Sequence, residues 1–445
     1  MTFTSVPFLW FFAAFLVVYS VVPARLRSYV LLLGGLVFAF WNSVLGAVIL
    51  LCFTVVNFLF GILVQSGETR SRSFMLLGVA VNVIALVVFK LIYKLTGAAP
   101  PLGISFYTFA CIAYLVDIER GTHPAEQNPI KFVTYTTMFP KLLQGPITRY
   151  SEIGEQLDKP KYTLRNIQSG LTSFVIGFAM KVLVADKLGY LWNDLGTIGY
   201  DSISTPLAWY GLFGYSLQIY LDWQGYTLMA VGIGRMLGFT LPQNFNYPYL
   251  ARTVGEYYRR WHMTLTRWFK DYVYIPLGGN RKGTLRTCLN ILIVWTLTAL
   301  WHGFGLNFLF WGLSLGILIV LEKLFLNRAF EKLHVLPHLY VLFFIPLTWC
   351  CFAISKTADL GAYFSRLFPF FGTWGNVNPR DFSMRFLTYL PYFAVGIVLS
   401  FPVVENLLHK ISRNWIGAIL LGVLFWLAVY EMQRTGSNVL MYINF

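Results

Sequence analysis

Residues 285–321 read LRTCLNILIVWTLTALWHGFGLNFLFWGLSLGILIVL. Two apolar runs, Leu285–Trp301 and Phe304–Leu321, meet at His302. A helix needs about 20 mostly apolar residues to cross the hydrocarbon of a bilayer. Both runs approach that length, which puts His302 at or within the membrane. Gly303 and Gly305 follow it and predict a sharp bend with close backbone approach. An ionisable side chain at that depth is costly and marks a functional site by default. Two readings fit the residue: a satisfied structural histidine at a helix junction, or a working imidazole.

The same pattern runs outward from this junction. Phe3–Tyr19, Tyr29–Trp41, Val44–Val64, Phe74–Tyr93, Gly170–Val184, Leu339–Cys351, Phe386–Phe401 and Trp415–Tyr430 are apolar enough to lie in lipid or close to it. Of the 445 residues 57% are hydrophobic and only 12% charged, against roughly 25% charged in a soluble domain. The expectation is an all-α integral membrane protein with about eleven transmembrane helices. The chain reads as one transmembrane domain, 1–445, with no linker. Its central region, 120–285, holds much of the charge and few clean spans. That region is read as re-entrant and interfacial, since polar backbone at membrane depth needs protein or a wet cavity around it.

A net charge of +15 would suggest nucleic acid in a soluble protein. Here the basic residues gather as cytoplasmic loops of membrane proteins do. Arg25 and Arg27 follow the first apolar run, and Lys131, Lys141, Arg149, Lys159, Lys161 and Arg165 form a second cluster. With both on the cytoplasmic side of a bacterial inner membrane, the N-terminus lies outside. Residues 1–20 carry no basic residue before the apolar run, so they read as a retained first helix instead of a signal peptide. The five cysteines have no C-x-x-C spacing, which indicates neither a disulfide framework nor a metal site.

Three stretches in and beside the central region carry chemistry. Phe139–Tyr150, FPKLLQGPITRY, is broken by Pro140, Gly145 and Pro146 and reads as a turn or re-entrant loop bearing Lys141 and Arg149. Glu256–Tyr272, EYYRRWHMTLTRWFKDY, puts Trp261, Leu265 and Trp268 on one helical face, with Arg259, Arg260, Arg267 and Lys270 around the rest. It predicts an interfacial amphipathic helix with aromatic anchors, His262 beside its apolar stripe. A turn-rich basic loop, Ile275–Gly283, follows. The third stretch is Ala299–Asn307 around His302. There is no P-loop, and Gly312-Leu-Ser-Leu-Gly316 lies in a continuous apolar run, where small residues permit close helix packing.

Together these stretches resemble the membrane-bound O-acyltransferases, in the branch that acetylates polysaccharides such as alginate. The resemblance also takes in Gln218–Tyr226, Asn244–Tyr249, Tyr274–Arg281 and the closing Met441–Phe445. A sibling branch, which transfers D-alanine to teichoic acid, shares the Trp-His-Met and Trp-His-Gly elements. Leu221-Asp-Trp-Gln224 departs from the usual pattern. The resemblance implies helices in a ring around a central cavity, with His302 as the intramembrane catalytic histidine and His262 as a second one. It implies an extracytoplasmic acceptor, a cell-surface glycan or an SGNH-type esterase-like partner, and no bound cofactor.

The chemistry fits. Acyl transfer from a thioester to an alcohol needs a base for the hydroxyl, donors for the oxyanion, and exclusion of water. Histidine suits the first. His302 is expected as general base. His262 either orients or polarises the acyl carbonyl, or relays the proton. Asn307 and the backbone around Gly303 are candidate oxyanion donors. Acetyl-CoA or an acyl carrier protein is anionic, so Arg259, Arg260, Lys270, Arg281 and Lys282 are candidates for holding it, or else they fix topology and hold anionic lipid. Asp222 either lines the cavity or pairs with an arginine. Asn246, Asp271 and Asn280 complete the expected donor-binding or cavity-lining set. The alternatives are D-alanyl transfer from a carrier protein, and a proton-coupled transporter or flippase with His302 as relay.

Overall fold

The computed structural model describes residues 1–371 and 377–435, so the tail Met441–Phe445 lies outside the described residues. The regular elements among them are helices, and no strand occurs among them. Nine helices among the described residues are long and apolar enough to cross a membrane, from Ala24–Asn42 to Trp415–Thr435. Two further helices fall short of that measure, which accounts for the difference from about eleven. Val6–Val21 has only 16 residues, about 24 Å at the α-helical rise against a hydrocarbon core of about 30 Å. Thr205–Met236 has 32 residues, but Gln218, Asp222, Gln224 and Arg235 interrupt its apolar run. The central region is more regular than its composition suggests, because it contains this helix and the full span Leu164–Ile198.

The chain divides into two compact units, 1–175 with 226–243, and 176–225 with 244–445. The first holds the spans Val44–Ser66 and Ser71–Thr96, clamped by two amides. Asn57 and Asn82 are fully buried and exchange hydrogen bonds, Asn82 Nδ2 donating to Asn57 Oδ1 at 2.7 Å and Asn57 Nδ2 returning at 3.3 Å. In the same unit Phe139 sits among the rings of Phe8, Phe11, Phe12, Phe15 and Phe38, with centroids 5.3–6.4 Å away. Within the quoted stretch Phe139–Leu142 is helical, Leu143–Thr148 is buried coil, and Tyr150 opens the next helix, Tyr150–Asp158. This is no ordinary solvent loop. Lys141 is buried, its ammonium 3.4 Å from the centroid of the Tyr135 ring, and burial pulls its pKa down to about 7.

The part of the span Leu164–Ile198 that lies in the second unit, from Ile176 on, widens into a π-helical turn over Met180–Ala185. That turn carries Lys181, which is buried and ion-paired both to Asp186 and, at 2.7 Å, to Asp222. The helices Thr284–His302 and Leu306–Leu321 form a hairpin. Gly312 is needed in it, because a Cβ there would stand 2.7 Å from both the Ala299 Cβ and the Trp295 carbonyl oxygen.

The Asn57–Asn82 pair gives a direct test. Asn82→Leu leaves a buried amide without its partner and should lower unfolding stability in mild detergent by about 1–2 kcal/mol. Adding Asn57→Leu should recover part of that loss, read as a coupling energy in a double-mutant cycle.

Candidate active site

His302 is the last residue of the helix Thr284–His302, and the chain turns over Gly303–Gly305 before the next helix starts at Leu306. Gly303 is extended, so the bend does not use glycine's left-handed freedom. Glycine is needed there for space, because a Cβ would stand 2.6 Å from the Phe308 ring. The imidazole is buried among aromatic rings: Trp301 at 4.4 Å, Trp311 at 5.0 Å and nearly perpendicular, Phe352 at 5.1 Å, and Phe308 at 6.1 Å. Trp311 comes from Leu306–Leu321 and Phe352 from Leu336–Ala353. Three helices thus build an apolar sleeve around one imidazole.

His262 is placed by a break in the backbone. The expected single amphipathic helix is two short helices, Val254–Arg260 and Met263–Phe269, separated at His262 with φ 43° and ψ 54°. The left-handed region costs an L-residue roughly 1–2 kcal/mol, so the surroundings must impose it. Asn244 and its neighbours do so. The Met263 N–H donates to the Asn244 carbonyl at 2.8 Å, and the Asn246 N–H donates to the Arg260 carbonyl at 2.9 Å. The side-chain oxygen of Asn244 receives the Thr264 hydroxyl at 2.6 Å and the Thr264 N–H at 3.3 Å. His262 Nδ1 lies 3.2 Å from that same oxygen. The Trp223 ring packs against the imidazole at 4.3 Å. Leu265 and Trp268 lie on the second short helix, and the break takes Trp261 off it, so the three do not form one continuous helical stripe; all three are nevertheless buried. The tryptophans are therefore core residues instead of lipid anchors.

His262 and His302 line one cavity of about 280 Å³. Trp295, Trp311, Leu265, Phe269, Ile291 and Val294 give it apolar and aromatic walls, and Arg259 and Lys270 add positive charge. The volume falls just below the usual range for small-molecule pockets, about 300–1,000 Å³. Glu322 accepts hydrogen bonds from the Val254 and Gly255 N–H groups at the start of Val254–Arg260, which anchors the helix that carries Arg259. Among the described residues no cluster of His, Cys, Asp and Glu could hold a metal ion.

Four of the expected residues, His302, His262, Arg259 and Lys270, lie on this cavity wall. The others do not. Arg260 pairs with Glu256 at 2.8 Å. Asp222 pairs with a lysine, Lys181, and not with an arginine. Asn246 is exposed and contributes its backbone to the rung with Arg260. Asn280 and Arg281 are exposed, and Asp271 is half-buried off the wall. Asn307 is buried near the start of its helix but does not line the cavity. Asn244, Trp223 and the Trp311–Phe352 sleeve were not among the expected residues. Asn244 lies in a quoted stretch, two positions from the asparagine that was chosen.

Burial drives the pKa of His262 down to about 3 from an ordinary 6.5. Its folded form stays neutral while the unfolded chain takes up a proton below pH 6.5. Folding stability should therefore fall with pH from 6.5 toward 3 and be indifferent to this group above 6.5. The loss should reach about 2 kcal/mol over the first one and a half pH units of descent. His262→Asn, which tolerates the left-handed backbone, should flatten that part of a stability-against-pH curve measured by denaturant titration.

Comparison with known proteins closes the case for the chain's family. Residues 122–333, which contain both histidines, match MBOAT, the membrane-bound O-acyltransferase family. The chain is 34% identical over 387 residues to the "Probable alginate O-acetylase AlgI" of Pseudomonas fluorescens, covering 84% of this chain and 77% of that protein. It is 33% identical over 398 residues to the peptidoglycan O-acetyltransferase of Helicobacter pylori, covering 79% and 75%. With the teichoic acid D-alanyltransferase of Bacillus subtilis it shares 28% identity over 236 residues, covering 50% and 59%. A multi-pass helical chain with this much likeness, over this much of its length, belongs to the membrane-bound O-acyltransferase family and is a membrane acyltransferase.

Proposed function

We propose that the protein transfers an acetyl group, or a similarly small acyl group, from a cytoplasmic thioester to a hydroxyl outside the cytoplasm, with His302 as general base. One observation carries this reading: His302 sits in an aromatic sleeve yet lines a small cavity that also carries His262 and cationic groups. The sleeve excludes water, which protects a thioester from hydrolysis and strengthens polar interactions inside.

In this reading His302 takes the proton of the acceptor hydroxyl as its oxygen attacks the thioester carbonyl. A tetrahedral oxyanion forms. It collapses with cleavage of the carbon–sulfur bond, and the departing thiolate takes up the proton. The products are an ester and a free thiol. The donor, acetyl-CoA or an acyl carrier protein, bears phosphate, and Arg259 and Lys270 are the cations on the cavity wall to meet it. The cavity volume favours a short acyl chain over a lipid-length one.

The acceptor is an extracytoplasmic polysaccharide, or an SGNH-type partner that passes the acetyl group on. The relatives named for alginate and for peptidoglycan acetylation support acetyl over D-alanyl, since their likeness covers more of the chain than that of the D-alanyltransferase. The protein resides in the bacterial cytoplasmic membrane with its N-terminus outside; in this topology the short helix Val6–Val21 crosses with the help of its flanking residues, and Arg25 and Arg27 after it hold the inner end.

Two measurements test the reading. His302→Ala, confirmed as folded and inserted, should lower acceptor-dependent release of free CoA from acetyl-CoA in nanodiscs by about 10²–10⁴-fold, and ester-linked acetate should vanish from the surface glycan. Acetylation at the wild-type level would remove His302 from the mechanism. Lys270→Gln should raise KM for acetyl-CoA about tenfold with kcat nearly unchanged, the signature of a lost ground-state contact. An unchanged KM would assign Lys270 to topology.

A further inference from the structure

His262 shares the cavity with His302, and its role turns on which ring nitrogen carries the proton. Asn244 decides that. The Thr264 backbone N–H can only donate, and it points at the same Asn244 atom as the Thr264 hydroxyl, so that atom is the amide oxygen. An oxygen accepts, so His262 Nδ1, 3.2 Å away, must bring a proton to it. A neutral imidazole has one N–H. The lone pair is therefore on Nε2, a buried atom with no hydrogen-bond partner among the described residues.

We infer that Asn244 is a positioning residue that fixes His262 as the Nδ1–H tautomer, so that the second ring nitrogen is a bare acceptor and His262 does not polarise the acyl carbonyl. The second half rests on the acyl-transfer reading given above; the first half does not. A carbonyl-polarising group must donate, and the nitrogen left over at His262 has nothing to donate. Burial keeps the ring neutral, with its pKa near 3, so the acceptor persists throughout the working pH range. The backbone serves the same end. The rungs from Asn244 and Asn246 to residues 260–263 hold His262 in its left-handed conformation, and Trp223 closes the ring's other side.

The other titratable or charged groups on the cavity wall are Tyr258, Arg259, Lys270, Tyr274 and His302. Glu322 lies behind Arg259, and the two groups packed on the His262 ring, Asn244 and Trp223, are uncharged. A change made at Asn244 is therefore read at His262 first.

The test uses the full chain in nanodiscs with ¹⁵N-labelled histidine, the His262 signals being those lost in His262→Asn. The wild type should show a protonated Nδ1 and a bare Nε2 at neutral pH. A proton on Nε2 would overturn the inference outright. Asn244→Asp keeps an acceptor for Nδ1–H but adds a charge that favours the imidazolium. It should protonate Nε2 at a pH where the wild-type ring is neutral and move the acid limb of kcat upward, with KM for acetyl-CoA unchanged. A doubly protonated His262 with an unmoved pH profile would end the acceptor role. Asn244→Leu should mix the tautomers and lower kcat by about 10–100-fold; full turnover in that variant would also overturn the role. Activity surviving in His302→Ala would defeat the transferase mechanism while leaving the tautomer result, which is read without turnover, intact.

Discussion

A polar group held at membrane depth has no water to turn to, so each one must find its partner inside the protein. That constraint organises this chain. It makes Asn57 and Asn82 exchange amide hydrogen bonds between two spans. It gathers Asp186 and Asp222 around Lys181. At the site, where the polar groups are buried in protein, the same need for partners has a more specific result. The break between two short helices brings Thr264 and His262 onto one asparagine oxygen, and the satisfied ring nitrogen determines what the other can do. Structural satisfaction and chemical direction are set by the same contact.

How much of this was legible in the sequence follows from the physics of each signal. Apolar runs report on depth, and most became helices near the expected places. His302 was legible because an ionisable residue between two such runs is costly wherever it points. The run around His262 was harder. A 3.6-residue period assigns Trp261, Leu265 and Trp268 to one apolar stripe, but it does not say whether lipid or protein covers those side chains. Protein covers all three, on two separate helical segments. Nor does periodicity reveal a break at a single non-glycine residue with positive φ, because tertiary hydrogen bonds impose it and local preference opposes it. Asn244 and Asn246 lie in one short motif, and nothing local separates the one whose side chain matters from the one whose backbone matters. Asp222 with Lys181 is a contact between helices remote in sequence, which no local pattern carries.

The chain's relatives are named for polymers of different chemistry, alginate, peptidoglycan and teichoic acid. The site described here holds an imidazole in an aromatic sleeve, a second imidazole bonded to Asn244, and cations on the cavity wall. None of these features is itself specific to one polymer, as expected when function lives in a site grafted on a fold.

The lysine in the widened turn has a consequence for how the protein is made. A lone ammonium at the centre of a nascent helix opposes transfer from the translocon to lipid by about 2.5–3.5 kcal/mol. Asp186 arrives a turn later on the same segment, but Asp222 belongs to the helix Thr205–Met236, which is synthesised afterwards. The earlier segment therefore gains by waiting at the translocon until its successor emerges. The charge of Lys181 is fully matched only once both segments have been made.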